Sequence, residues 1–210
     1  MLALPLAARA LCTSDRVPQP QAVLERFVSA DCEDCWRDPR TPVPAANTVV
    51  LDWVVPGKAG DDAPLSAVAS REASDRLQAL GHPVPERTSA VGTLRSGPGL
   101  PLRLAQGDSV NDYVGTTIEL KQPGREPWHA WLLLVESLPA GTEGSTVARN
   151  LVRNVFRPDW DKVAGRAPGA LVEARALQIH EGAKPDRLSL VAILQDARGR
   201  IRAISRTECP

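Results

Sequence analysis

Nineteen prolines spread through 210 residues set the first limit on what this chain can become. Each fixes φ, removes a backbone donor and breaks a helix interior. Short strands are therefore favoured over long helices, and a helical bundle is excluded. The limit is most severe after Cys35, where Pro39, Pro42 and Pro44 fall close together. Only 12 residues separate Cys35 from the next apolar run at Thr48, so at most one helical turn fits there. Hydrophobic residues make up 43% of the chain, enough for one large or two small cores. The 25 basic and 25 acidic residues cancel. No net field then draws the chain to nucleic acid or to an anionic membrane. No apolar run approaches the roughly 20 residues that span a bilayer, so no integral membrane segment is expected. No glycine-rich phosphate loop or Gly-x-Ser-x-Gly elbow is present, and no cofactor is expected.

The chemistry is concentrated in Ala30-Asp31-Cys32-Glu33-Asp34-Cys35-Trp36. It follows Ala22–Ser29, whose composition is that of a buried strand. A strand running into Cys-x-x-Cys is where thioredoxin-like folds place a redox pair. Three readings are open for Cys32 and Cys35. As a redox dithiol they need a depressed pKa, whereas Asp31, Glu33 and Asp34 disfavour thiolate. As a structural disulfide they fit an exported chain. As metal ligands they lack a second pair, since His82, His129 and His180 are isolated from one another. No metal is therefore expected. Cys12 and Cys209 are either bridged to each other or both free. An even cysteine count permits two disulfides and an oxidising compartment. The apolar run Leu2–Ala8 and the small-x-small Ala8-Arg9-Ala10 suggest a truncated signal segment. A periplasmic or secreted protein is expected.

Along the chain, residues 1–20 read as a tail. Strands are expected at Ala22–Ser29, Thr48–Val55 and, weakly, Thr88–Leu94. Pro64–Leu80 reads as a helix, with Pro64 in its first turn and Gly81 just past its end. Ser96–Gly99 is the best domain boundary. Beyond it, strands are expected near Leu100–Ala105, Asp112–Leu120, His129–Ser137, Leu171–Ile179, Arg187–Gln195 and Ile201–Thr207. Asp196–Arg200 is a hairpin loop. Ala148–Arg157 is ambiguous; as a helix it would set Arg149, Arg153 and Arg157 on one solvated face. Trp53, Trp128, Trp131 and Trp160 read as core, while Trp36 either packs inward or grips a partner.

Taken in order, Phe27–Cys35, Leu51-Asp52-Trp53, Trp131–Val135, Arg149–Val155, Asp159-Trp160 and Leu190–Asp196 resemble a bacterial family known as domain of unknown function 1223. The resemblance covers about residues 22–207. It implies an exported protein of α/β plus β class: a thioredoxin-like domain over 21–97, then a small antiparallel β-sandwich over 98–210. By the same resemblance Cys32 is the nucleophile and Cys35 the resolving thiol, with another protein's cysteines as partner. Thioredoxin-like folds, and this family, carry Thr-Pro beside the cysteine pair. The matching position here is Thr88-Ser89, which with Trp36 forms the expected substrate contact. The alternative is a non-catalytic binding or scaffold module in which Cys32–Cys35 is a structural disulfide.

Overall fold

The computed structural model describes residues 12–163 and 169–209. Eleven strands are described, in two sheets. They are β1 (Cys12–Thr13), β2 (Ala22–Ser29), β3 (Thr48–Val55), β4 (Thr88–Leu94), β5 (Leu102–Val110) and β6 (Tyr113–Leu120). There follow β7 (Trp128–Leu138), β8 (Arg149–Phe156), β9 (Leu171–Gln178), β10 (Leu188–Asp196) and β11 (Ile201–Arg206). The large sheet runs β11-β10-β7-β8-β3-β2-β4 and the small one β1-β5-β6-β9. In the large sheet β2 is parallel to β3 and β3 to β8, while every other pairing is antiparallel.

Alternation of side chains assigns the two faces of the large sheet. One face carries Phe27, Leu51, Trp53, Trp131, Leu133 and Ile193, and it is covered by helix α2 (Arg71–Ala79) through Ala73 and Leu77. On the other face, Leu132, Leu134, Leu190 and Ala192 pack against Leu104, Ile118 and Leu120 of the small sheet. Farther along that same face, Val28, Val54, Leu138 and Leu151 are capped by the segment holding Cys32, Cys35 and Trp36. The small sheet and the cysteine segment thus share one side of the large sheet.

The expected thioredoxin-like α/β half is not what forms. Strands dominate, and among the described residues only three α-helices occur: α1 (Glu33–Arg37), α2 and α3 (Trp160–Val163). The prolines after Cys35 stop α1 after five residues. The expected helix over Pro64–Leu80 begins only at Arg71, because the Ser70 hydroxyl accepts the Ala73 amide at 3.2 Å and caps it there. Leu65 and Val68, which lie inside that expected helix, lean instead on the cysteine cluster. Strands β2–β4 are continuous with β7, β8, β10 and β11 in one sheet. The correct class is therefore a mostly β protein of two packed sheets.

The ambiguous segment is strand β8, with Arg149 buried rather than on a solvated face. All five tryptophans are buried, Trp36 among them. The turn at Ser96–Gly99 lies where the chain passes from the large sheet to the small one. Of the expected tail, residues 1–11 lie outside the described residues, and Cys12–Thr13 pairs with β5. Among the described residues no helix is long and apolar enough to cross a membrane. Cys12 and Cys209 form a disulfide with Cα atoms 4.1 Å apart, and Cys32 and Cys35 form a second.

Candidate functional site

Strand β2 ends in a turn in which the Cys32 amide donates to Ser29 O at 3.0 Å, and Cys32 then caps α1. A helix of five residues has little intrinsic stability. Its backbone is held instead by the loop between β7 and β8. Ser145 Oγ donates to Trp36 O at 3.2 Å and Thr146 Oγ1 to Arg37 O at 2.6 Å. The Trp36 indole donates to Glu143 O at 2.8 Å. The segment carrying the cysteines is thus positioned by residues more than a hundred places further along the chain.

The electrostatics differ from the acidic surround expected of Asp31, Glu33 and Asp34. The Asp31 carboxylate turns away and accepts the amides of Lys58 at 2.7 Å and Ala59 at 3.2 Å. Gly57 permits this close approach, since a Cβ there would fall 2.2 Å from Asp31 Oδ1. Glu33 pairs with Arg37 at the surface. On the cysteine side a guanidinium comes close, with Arg149 Nη2 3.5 Å from Cys35 O. Arg149 stacks on the Trp36 ring at 4.8 Å and donates to Trp36 O at 2.8 Å and Thr41 Oγ1 at 3.1 Å.

Asp52 lies beneath, fully buried, and accepts from Arg26 Nη2 at 2.6 Å, Arg149 Nη1 at 3.1 Å and the Asn150 amide at 2.8 Å. Burial depresses the Arg149 pKa below the ordinary arginine value, with Asp52 pulling the other way and Arg26 adding to the depression. At the surface Arg40 grips Asp38 through two bonds of 3.0 and 2.9 Å, and this lowers the Asp38 carboxyl.

Beside this network lies a cavity of about 200 Å³. Its walls include Arg26, Cys35, Arg40, Thr88, Ser89 and Arg149. The structure therefore brings Cys35, Thr88 and Ser89 together. Cys32 and Trp36 do not line that cavity and lie in the apolar cluster beneath it. Three guanidiniums meet two carboxylates here, so one positive charge is uncompensated. Arg26 Nε is buried without a protein partner.

Comparison of the chain with family models, with curated proteins and with solved structures returns no match.

Sequence reasoning passed over Arg26, Asp52 and Arg149 as a unit. The signal was there in part. Arg26 and Asp52 each interrupt an apolar strand, and charges buried in a core are paired. Finding their partner required knowing that 149–156 is a strand beside β3.

Proposed function

We propose that the protein is an extracytoplasmic binding module in which the Cys32–Cys35 disulfide is structural. The observation that carries this reading is the burial of the pair. Both cysteines are only 7% exposed, packed with Val28, Val54, Trp36 and Leu151. A disulfide in such surroundings is poorly reached by an attacking thiolate. The carbonyls of Cys35, Trp36 and Arg37 are also pinned by Arg149 and the Ser145–Thr146 loop, which limits the freedom of the segment to deliver a sulfur to a partner. Two disulfides fit an oxidising compartment. The cavity at Thr88 and Ser89 is then a binding site with Cys35 as part of its wall.

A second reading, weak thiol–disulfide exchange, draws support from one feature: Cys35 lines the cavity and Cys32 does not. In that reading an incoming thiolate bonds to the Cys35 sulfur and Cys32 leaves as thiolate. The reduction potential of the pair, titrated against glutathione with alkylation and mass counting, separates the two. A value below about −300 mV is expected. A value near −180 mV or higher would sink the structural reading.

A further inference from the structure

Strand β4 is an open edge of the large sheet: among the described strands its only neighbour is β2. The pairing identifies which of its backbone groups are free. Ser29 N donates to Arg87 O at 2.9 Å and Arg95 N to Gln21 O at 2.8 Å. In an antiparallel ladder hydrogen-bonded pairs alternate with non-bonded ones. Ser89, Val91 and Thr93 therefore bond to β2, while the N–H and C=O of Thr88, Ala90, Gly92 and Leu94 point outward.

Native edges are normally guarded by charge, proline, a bulge or a covering segment. From Thr88 to Leu94 there is no charged residue and no proline. The pairing with β2 runs through all seven residues without a register shift. Leu94 is 75% exposed, and a Cβ at Gly92 would meet nothing within 4 Å. This edge is shaped to accept another strand.

The cavity decides which strand. It lies at the Thr88–Ala90 end of β4 and carries the uncompensated positive charge and the unpartnered Arg26 Nε. A strand added antiparallel to β4 runs from Leu94 toward Thr88, so its C-terminus arrives at the cavity. We propose that β4 and this cavity form a docking site for the C-terminal segment of another polypeptide, paired antiparallel to β4 with its terminal carboxylate among Arg26, Arg40 and Arg149. The proposal rests on the binding-module reading above and supplies its ligand class. Main-chain bonds provide affinity along the edge, and the carboxylate fixes register and direction.

The test uses the whole chain with both disulfides intact. Arrayed seven-residue peptides are offered in two forms, with a free C-terminal carboxylate and as the C-terminal amide. The free-carboxylate forms should bind preferentially. With the best of them, the ¹⁵N-labelled protein should show shifted and exchange-protected amides at Thr88, Ala90, Gly92 and Leu94. Ser89, Val91 and Thr93 should change little. Arg40→Gln, at an 87% exposed side chain, should weaken the carboxylate form about tenfold, the scale of one lost charge-assisted hydrogen bond. Gly92→Pro, which removes an outward N–H without touching the β2 pairing, should abolish binding.

Equal binding of acid and amide, no selected peptide, or protection without the alternating pattern overturns the proposal. So does sedimentation as a dimer with the edge already protected, since a second copy would then occupy it. The reduction potential, measured on the same sample without peptide, judges the structural disulfide independently of these outcomes.

Discussion

Arg26 of β2 and Arg149 of β8 are bridged by one carboxylate, Asp52, on the strand between them. The contact between β3 and β8 registers at a single pair, Asp52 with Leu151. Elsewhere along that seam the side chain does what a ladder would do: Asp52 accepts the Asn150 amide, and Asn150 Nδ2 donates to Val50 O at 3.2 Å. Strands β2 and β3 pair along their whole length, so it is the β3–β8 seam, sparse in ladder pairs, that the buried ion network stitches.

Arg149→Met is therefore expected to destabilise the protein by about 3–5 kcal/mol, the cost of breaking a buried ionic network from one side. Arg149→Lys should recover less than half of this, because an ammonium cannot span Asp52, Trp36 O, Thr41 and Ser145 together. Urea unfolding followed by tryptophan fluorescence measures both. A lysine variant as stable as the parent would show that the guanidinium geometry is immaterial.

A second ion pair lies on the opposite face, under α2. Arg76 donates to Glu25 at 2.8 and 2.7 Å and to Gln195 at 2.9 Å, with both charged side chains fully buried. Arg76→Met alone should cost about 3–5 kcal/mol by stranding the carboxylate. Combining it with Glu25→Gln should restore at least half of that loss. The comparison is read from denaturation midpoints, and strictly additive losses would contradict the coupling.

The two disulfides should contribute unequally. Replacing Cys12 and Cys209 by serine opens a loop with a sequence separation of 197 and is expected to cost about 5 kcal/mol. The corresponding change at Cys32 and Cys35, separated by 3, is expected to cost about 2 kcal/mol. Unfolding of each double variant by urea gives the ordering, and a larger loss at the short bridge would reverse it.

These networks also mark where the sequence stopped being informative. Ala22–Ser29, Thr48–Val55 and Thr88–Leu94 could be read to the residue, since alternating or continuous apolar runs bounded by turn residues are local signals. The strand partners could not. Nothing local says that β8 lies beside β3, or that the β7–β8 loop clamps α1, and without those partners a strand running into Cys-x-x-Cys reads as a thioredoxin-like half. Pro64–Leu80 failed for a related reason. Its apolar spacing served two different clusters, and the capping hydroxyl of Ser70 decided where helix could start. At the site, the motif was visible while its charge environment was not. Asp31 is close to the cysteines in sequence, yet its carboxylate faces the loop at Lys58.

Acid should weaken the protein through Asp196 in the β10–β11 turn. Burial alone would raise this carboxyl, but the Arg200 side chain and the amides of Arg200 and Arg198 outweigh it and lower its pKa. A native pKa below the unfolded value of about 3.9 means that the unfolded chain binds the proton first as pH falls. The contribution is full above about pH 5 and is lost as pH drops through 4 toward the native value. Denaturation midpoints should fall from pH 5 to pH 3, and Asp196→Asn should flatten that fall. An unchanged slope in the variant would remove Asp196 from the account.

The Cys12–Cys209 bond turns the chain between these residues into a covalent ring. A protease that cuts any one exposed loop, the 140–147 turn for instance, would leave a single molecule of unchanged mass apart from one added water. The new ends would stay tethered through the sulfur bridge and through both sheets. Such a clip would be visible on a gel only after reduction. The first cut then causes no loss of material, and only a second cut elsewhere in the ring can release a fragment.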